Sequence, residues 1–356
     1  MADRARVLLV APDKFRGSLT APEVVEAVAA GAEPLGWHVI RRPMADGGEG
    51  MLDAFGGANR VSVVTGPAGR PVRAAWRFGA DRVAVVECAT ASGLAIAGGG
   101  SHNDPMAATS RGSGELIAEA IQAGAKRVIV GLGGSAMTDG GLAAVEAVLE
   151  GLHGQKPFGR GAEILVACDV QTVFTDAAKV FGPQKGASPE QVLELTERLE
   201  KLQKHYLDDY GVHLDTLPGG GAAGGLGGAL VVLGGKLVPG LKLVAEEVGL
   251  DAALAQADAV VTGEGALDAE SFNGKVIGGV LDLAQVHGIP VIAIAGVIRD
   301  DAPADRLAQL RAVSLSETYG SEASWHDTAN SITRAVTEQL SALDRAVPLD
   351  TPNGRR

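Results

Sequence analysis

The stretch RVIVGLGGSAMTDGGLAAVEAVLEGL, residues 127–152, contains the parts of a strand–loop–helix unit in order. It opens with a short, mostly apolar run typical of a buried strand and closes with the periodicity of a helix. Between them lies a glycine-rich loop with two hydroxyl groups, Ser135 and Thr138, and one carboxylate, Asp139. Backbone N–H groups of such a loop can close on an anion. The stretch therefore predicts a sheet covered by helices, with an anion-binding loop at the end of a strand.

Strands and helices alternate along most of the chain. Strands are predicted over residues 6–13, 38–43, 60–66, 163–170, 257–265, 289–297 and 312–317, with a hairpin over 71–89 that turns at 79–81. Helices are predicted over residues 20–36, 47–57, 113–125, 141–152, 188–211, 274–288 and 325–346. This alternation indicates a doubly wound parallel α/β fold. The first strands and the last three all resemble the strands of a Rossmann-like sheet. This resemblance favours a discontinuous domain. We predict a Rossmann- or flavodoxin-like domain from residues 1–66 and 245–350, and a second α/β domain over 67–244.

Composition excludes several classes of protein. The 356 residues are enough for two domains, and a hydrophobic content of 46% with only 4% aromatics suits parallel sheets covered by helices. A formal net charge of −12 argues against a nucleic-acid partner. No apolar run reaches about 18 residues, so no membrane span is predicted. Cys88 and Cys168 lie in strand-like runs and are interpreted as buried thiols of a cytoplasmic protein.

Polar side chains collect in the loops that follow the predicted strands. In open parallel sheets, ligands bind beyond the carboxyl ends of the strands. A shared polar cleft is therefore expected to contain Asp13, Lys14, Arg16, Ser18, Asp46, Glu49, Asp139, Asp169, Glu264 and Asp268.

Helix capping is the structural alternative for some of these side chains. Asp46 and Glu49 are spaced as a capping box for the helix predicted over 47–57. Asp139 also precedes a helix but has no acidic partner three residues later, which favours a functional role for it. Ser110 and Ser113, at the start of another helix, favour capping over anion binding.

Two nucleotide motifs are weak or missing. Gly219, Gly221 and Gly224 have the spacing of a dinucleotide fingerprint, but no apolar strand precedes them. We interpret residues 218–235 as a turn and a helix whose glycines let another backbone come close. No Walker A sequence is present. Cations come instead from glycine-bearing loops, in the form of Lys14, Arg16, Lys185 and Lys275. Scattered cations, carboxylates for a metal and a glycine loop are the inventory that phosphoryl transfer needs.

These motifs resemble those of a known family, the bacterial glycerate kinases of type I, along essentially the whole chain. The matching stretches are APDKFRGSLTA (11–21), PMADGGEG (43–50), TSRGSGELI (109–117), GLGGSAMTDGG (131–141), ACDV (167–170), FGPQKGA (181–187), LPGGGAAGGLGGAL (217–230), VVTGEGALD (260–268) and NGK (273–275). The resemblance implies two α/β domains with the active site between them. It also implies phosphorylation of D-glycerate to 2-phosphoglycerate, with ATP and Mg²⁺ as cofactors and ADP as the second product.

The resemblance further implies roles for individual residues. Asp46, Asp139, Asp169 and Lys275 are the implied catalytic residues, with Asp139 and Asp169 as metal ligands. The residues implied to bind the nucleotide or its phosphates are Gly133, Gly134, Ser135, Thr138, Gly140 and Lys185. The residues implied to bind the substrate are Lys14, Arg16, Ser18, Glu264 and Asp268. A homodimer is compatible with the sequence, which leaves the oligomeric state open.

The sequence departs from the family pattern at the substrate end. The family commonly has an arginine after the TGEG motif, where this chain has Ala266. The segment 171–180 lacks the usual Asn-Pro and glycine turn, and the region 153–162 is shortened. A kinase for a related hydroxy acid is therefore the nearest alternative, followed by a non-catalytic ligand-binding relative. A dehydrogenase built on the Gly219 motif is more remote.

Overall fold

A computed structural model describes residues 5–346 of the chain. Within that range it contains eleven strands. They are β1 (Arg6–Val10), β2 (Trp37–Arg41), β3 (Arg60–Thr65), β4 (Pro71–Phe78), β5 (Val83–Glu87), β6 (Arg127–Gly131), β7 (Glu163–Ala167), β8 (Lys236–Val238), β9 (Ala259–Leu267), β10 (Val291–Ile298) and β11 (Arg311–Ser314).

The α-helices of the same range are numbered likewise in chain order. They are α1 (Ala21–Ala32), α2 (Met51–Ala54), α3 (Ala89–Ser92), α4 (Arg111–Gln122), α5 (Leu142–Gly151), α6 (Ala177–Phe181), α7 (Pro189–Tyr210), α8 (Leu226–Val232), α9 (Gly240–Glu247), α10 (Leu250–Leu254), α11 (Val276–His287), α12 (Ala304–Leu307), α13 (Leu315–Tyr319), α14 (Ser321–His326) and α15 (Thr328–Ala346).

The first unit combines residues up to 45 with residues from 245 onward. Its five strands form a sheet in the order β11-β10-β9-β1-β2, and every pair is parallel. Leu8, Val10, Ile292 and Ile294 are buried in its core, as expected for a sheet covered by helices. The α/β class predicted from the sequence is confirmed for this unit.

Helices α1 and α15 pack closely on one face of the first sheet. Helix α1 begins with the predicted capping box, in which the Thr20 hydroxyl accepts from the Glu23 N–H and the Glu23 carboxylate accepts from the Thr20 N–H. Gly31 lets α15 approach, because a Cβ there would lie 2.5 Å from the Thr333 carbonyl oxygen. The Thr333 hydroxyl donates to the Ala27 carbonyl at 2.8 Å. Segments far apart in sequence are thereby joined in one unit.

The second unit contains residues 46–244, with a mixed sheet in the order β3-β4-β5-β6-β7-β8. Strands β5 to β8 are parallel, whereas β3, β4 and β5 run antiparallel. The antiparallel pair of β4 and β5 is the predicted hairpin, which is confirmed. Trp76, Ile129 and Phe174 are among its largest fully buried side chains.

The predicted end of the first segment of the Rossmann-like domain, residue 66, lies C-terminal to the boundary that the structure shows. Strand β3 (60–65) was assigned to the first domain, but it pairs along its whole length with β4 of the second sheet. The contacts of the chain divide between residues 45 and 46. A strand belongs to the sheet that satisfies its backbone hydrogen bonds, and strand periodicity does not identify that partner. Residues 1–4 and 347–350 of the predicted domain lie outside the described residues.

The helix predicted over 47–57 is reduced to α2, Met51–Ala54, and the predicted capping box of Asp46 and Glu49 is not formed. Glu87 supplies the acceptor instead. One oxygen of its carboxylate accepts from the Gly50 N–H at 3.0 Å and from the Leu52 N–H at 2.8 Å. The side chain that satisfies this helix start comes from the end of β5, where local sequence patterns cannot reveal it.

The glycine-rich segment 218–235 forms a turn followed by α8, as predicted. A Cβ at Gly224 would lie 2.1 Å from the Met137 carbonyl oxygen, and the Gly224 carbonyl accepts from the Gly140 N–H at 3.0 Å. These glycines therefore allow the segment to lie directly against the loop that follows β6.

Candidate active site

The loop after β6, residues 131–141, has most of its carbonyl groups tied into the second unit. Gly133 O accepts from Cys88 Sγ at 3.3 Å, Gly134 O from Leu94 N at 2.7 Å, Ala136 O from Asn103 Nδ2 at 3.0 Å, Met137 O from Lys185 Nζ at 2.7 Å, and Gly140 O from Tyr206 Oη at 3.1 Å. Donors from five different segments thus fix the loop and satisfy its acceptors.

The N–H groups of the same loop show the opposite pattern. Those of Gly133, Gly134 and Ser135 donate to no residue within the described range 5–346. Three consecutive donors are left over while the neighbouring acceptors are occupied. Consecutive N–H groups of this kind can donate to an anion.

Two glycines of this loop permit a close approach by residues 48–49. A Cβ at Gly133 would lie 2.8 Å from the Glu49 backbone nitrogen, and one at Gly134 would lie 2.6 Å from Glu49 Oε1. Gly134 also has a φ of +70°, a conformation that side chains disfavour. The glycines are therefore required by contact and by backbone geometry.

Asp46 and Asp169 lie close together in the second unit. Asp169 follows β7, and its Oδ1 accepts from the Gly240 N–H at 2.9 Å. Gly47 and Gly240 bring the two segments together, because a Cβ at Gly240 would lie 2.3 Å from the Asp46 carbonyl oxygen and 2.7 Å from Asp169 Oδ2. A side chain at either glycine would push the two segments apart and displace the Asp169 carboxylate.

The pKa of Asp169 reflects this position. Burial raises it, the charge of Asp46 raises it further, and the Gly240 N–H lowers it, giving a pKa of about 6. A pair of carboxylates that repel each other in a partly buried site is suited to bind a hard cation such as Mg²⁺. No group of three or more His, Cys, Asp or Glu with metal-binding geometry occurs among the described residues.

Asp139, which the sequence predicts as a catalytic residue and metal ligand, has both carboxylate oxygens engaged in hydrogen bonds within the second unit. Its Oδ2 accepts from the Ser110 N–H and from the Ser110 hydroxyl, both at 2.8 Å, and its Oδ1 accepts from the Gly141 N–H at 3.0 Å. Burial raises its pKa, and these hydrogen bonds oppose the rise. This carboxylate joins the starts of α4 and α5. The geometry favours a structural role, and Asp169 has Asp46 rather than Asp139 as its acidic neighbour.

Lys185 is buried, with only 2% of its surface exposed. Its ammonium donates to the Met137 carbonyl of the glycine loop. Burial lowers its pKa to about 8, although the charges of Cys88 and Asp139 oppose that change. The predicted phosphate-binding lysine therefore supports the loop from within the unit.

In the first unit, β1 is followed by the predicted substrate-binding residues. Asp13 Oδ1 accepts from the Lys14 N–H at 2.7 Å, and the Lys14 ammonium lies 3.9 Å from the same oxygen. Ser18 turns back on the loop through a hydrogen bond from its hydroxyl to the Phe15 carbonyl. Gly265 lets this loop lie beside β9, since a Cβ there would be 3.2 Å from the Arg16 nitrogen.

Glu264 lies in β9 beside these residues. Its Oε1 is buried and accepts no hydrogen bond from the described part of the chain. Burial raises the pKa of Glu264 to about 7, with Asp13 and Asp268 adding to the rise and with Ser271 and Lys275 opposing it. A buried carboxylate oxygen without a partner is costly, and such groups are concentrated at functional sites.

Asp268 and Lys275 complete this cluster. Asp268 is mainly a cap, because its Oδ1 accepts from the N–H groups of Glu270 and Ser271. Lys275 pairs with Glu270 at 3.0 Å. Burial lowers the pKa of Lys275, but the hydrogen bond and the charges of Glu270, Asp268 and Glu264 outweigh it, so the pKa is raised. Lys275 therefore remains a cation at neutral pH.

Replacement of Glu264 by Gln is expected to flatten the pH dependence of stability. The folded state holds the Glu264 proton up to about pH 7, whereas the unfolded chain releases it near pH 4.5. Wild-type stability therefore falls as pH rises between these values, by about 2 kcal/mol in order of magnitude. Urea unfolding at pH 5 and pH 8 measures the difference. An unchanged pH profile in Glu264→Gln would contradict a protonated Glu264; Glu270→Gln, at an exposed carboxylate, is the control.

Two positions that shape the site were not found from the sequence. Glu87 satisfies the start of α2, and only its position at the end of an apolar strand could have drawn attention to it. The Gly240 N–H fixes Asp169, and nothing in the sequence around Gly240 indicates that contact.

Comparison with known proteins shows the family of the chain. The model of the glycerate kinase family matches residues 8–156 and 151–344. The chain belongs to the glycerate kinase family. It is an enzyme of the kinase class, as the resemblance implied.

Relatives and a solved structure agree with the family. The chain is 38% identical over 328 residues to the glycerate 2-kinase of Escherichia coli, covering 83% of this chain and 86% of the relative. It is 38% identical over 331 residues to the glycerate kinase of Bacillus subtilis, with coverage of 83% and 86%. A crystal structure assigned as glycerate kinase 2 from Salmonella typhimurium LT2 has a TM-score of 0.81, with 33% identity and coverage of 96% and 99%.

None of the helices described is both long and apolar enough to cross a membrane.

Proposed function

We propose that this glycerate kinase transfers the γ-phosphoryl group of ATP to the 2-hydroxyl of D-glycerate, in the presence of Mg²⁺, giving 2-phosphoglycerate and ADP. The observation that carries the proposal is the loop of Gly133, Gly134 and Ser135, whose three N–H groups have no acceptor among the described residues. A preorganised row of donors stabilises phosphate charge without reorganisation during the reaction. The name of the Escherichia coli relative supports the 2-position.

Residues of the second unit fit Mg²⁺ by the chemistry of their donors. Asp46 and Asp169 supply carboxylate oxygens, which magnesium prefers, and their mutual repulsion is relieved when a cation binds. Bound there, the metal would supply charge neutralisation for the phosphates. The role of Asp139 proposed from the sequence is reassigned to holding the loop and the two helix starts.

Residues of the first unit fit glycerate. Lys14 and Arg16 offer cations for the substrate carboxylate, and Lys275 offers one for the transferred phosphoryl group. Glu264 has a pKa of about 7 and a buried oxygen that finds no partner in the part of the chain that the structure describes. A base whose pKa is near the working pH accepts a proton efficiently. We therefore assign to Glu264 the acceptance of the proton from the substrate hydroxyl.

The reaction is expected in the cytoplasm, since Cys88 and Cys168 are both free thiols. Ala266 lies in β9 two residues after Glu264, and the absence of a large cation at this position favours a related small hydroxy acid as the second candidate substrate.

Release of ADP from ATP with a panel of 2- and 3-carbon hydroxy acids tests the proposal. Turnover with D-glycerate that requires Mg²⁺, and a ³¹P spectrum of 2-phosphoglycerate, are the expected results. If only another acid is turned over, that acid and not glycerate is the substrate. Absence of ADP with every acceptor would favour a ligand-binding relative, and formation of NADH from NAD would revive the dehydrogenase alternative.

A further inference from the structure

A cavity of about 220 Å³ lies in the second unit, between α7 and the loop after β6. Four apolar side chains form much of its wall, namely Met106, Leu195, Leu199 and Leu202. Thr138 and Asp139 of the loop contribute the polar part, with Arg198 also at the wall. A concave, mainly apolar space with a few polar groups is the usual form of a small-molecule site.

Thr138 gives this cavity an unsatisfied polar group. Only 2% of the residue is exposed, and its Oγ1 is buried with no hydrogen-bond partner in the described part of the chain. A buried hydroxyl of this kind costs about 1–3 kcal/mol when it stays unpaired. Because a hydroxyl both donates and accepts, it can pair with either kind of atom on a ligand.

The other polar groups of the wall are already engaged. Asp139 uses its carboxylate on Ser110 and Gly141. Arg198 donates to the Met106 carbonyl and pairs with Glu194, and half of its side chain is exposed. Thr138 is thus the wall residue whose side-chain hydrogen-bonding group has no partner among the described residues, in a surround that is mainly apolar.

Size and shape narrow the ligand further. A cavity of about 150 Å³ holds a benzene ring, so a space of about 220 Å³ is large enough for a fused two-ring system. Leucine side chains pack on the faces of a planar ring, and methionine sulfur makes favourable contacts with aromatic rings. A purine base has such faces and carries donors and acceptors only on its edge.

We propose that this cavity binds the purine base of the phosphoryl-donor nucleotide, with the Thr138 hydroxyl on the base edge; the inference rests on the function proposed above. Thr138 and Ser135 belong to one loop and their Cα atoms are at most about 11 Å apart. One loop would thus bind the base at one end and the phosphates, through the N–H groups of residues 133–135, at the other.

Adenosine binding, measured by calorimetry, tests the site without the reaction. Leu199→Phe fills the cavity and is expected to weaken adenosine binding at least 10-fold. In turnover, KM for ATP should rise by a similar factor, while KM for glycerate stays within 2-fold. Leu193→Phe is the matched control, because Leu193 is on the same helix with 67% of its surface exposed.

Thr138→Val is a second variant, which tests the same site if Leu199→Phe does not fold. The change keeps the shape and removes an unpaired hydroxyl, so stability should be equal or higher while adenosine binds several-fold more weakly. If both folded variants bind adenosine like the wild type while glycerate is still phosphorylated, the base site is wrong and the kinase assignment stands. If no acid is phosphorylated but both variants lose adenosine, the base site stands and the kinase assignment fails.

Discussion

Asp169→Asn is expected to lower kcat for glycerate phosphorylation by at least about 10²-fold. The amide oxygen can still accept from the Gly240 N–H, so the local backbone is retained. The negative charge that faces Asp46 is lost, and with it half of the proposed cation site. Steady-state kinetics over a range of Mg²⁺ concentrations measures the effect, which should include a higher Mg²⁺ requirement.

Stability separates this effect from misfolding. Burial and Asp46 hold the pKa of Asp169 near 6, above its usual value, so at pH 8 the Asp169 charge destabilises the folded state relative to the unfolded chain, in which water solvates the same charge. The Asn variant should therefore be at least as stable as the wild type at pH 8. Asp176→Asn is the control, since Asp176 is a half-exposed carboxylate in an ion pair with the exposed Lys179. Normal turnover in folded Asp169→Asn would remove Asp169 from the reaction.

Asp139→Ala is expected to lower the free energy of unfolding by about 3 kcal/mol. The substitution leaves three donors without their acceptor, namely the N–H and hydroxyl of Ser110 and the N–H of Gly141. Each orphaned donor costs about 1–3 kcal/mol, and relief from burying the carboxylate offsets part of the sum. Urea denaturation followed by circular dichroism measures the loss.

A double-mutant cycle with Ser110→Ala tests the mechanism of that loss. The Ser110 hydroxyl joins Asp139 to the Ala144 N–H at the start of α5, so the two substitutions remove one shared network and their costs should not add. The opposite outcome is a variant of Asp139 that unfolds like the wild type yet turns over more than about 10²-fold more slowly. That result would restore the catalytic or metal role predicted from the sequence.

The sequence was most informative where the residues that determine a feature are neighbours in the chain. Thr20 and Glu23 predict the start of α1 from four adjacent residues, and the turn between β4 and β5 follows from their alternating apolar pattern. The family motifs, above all residues 131–141, led to the glycerate kinase family. Both kinds of inference depend only on neighbours in the chain.

Residue roles depended on contacts that the sequence does not show. Lys185 and Asp139 are residue types expected at a phosphate or metal site. In the structure, Lys185 donates to the Met137 carbonyl and Asp139 accepts from Ser110, and both bonds hold the glycine loop in place. For Asp46, helix capping was the structural alternative to a catalytic role, and the structure gives that capping function to Glu87, at the end of β5. Whether a charged side chain supports the fold or faces a ligand is decided by which distant groups reach it.

The sequence by itself determined the α/β class, the order of most elements and the family, because apolar periodicity, turn residues and motifs are written in consecutive residues. The tertiary structure alone decided that β3 belongs to the second sheet, that Asp169 lies beside Asp46, and that three N–H groups of the glycine loop find no acceptor within residues 5–346. These properties arise from hydrogen bonds and close packing between segments far apart in the chain, and a carboxylate or an amide is free only when no such segment reaches it.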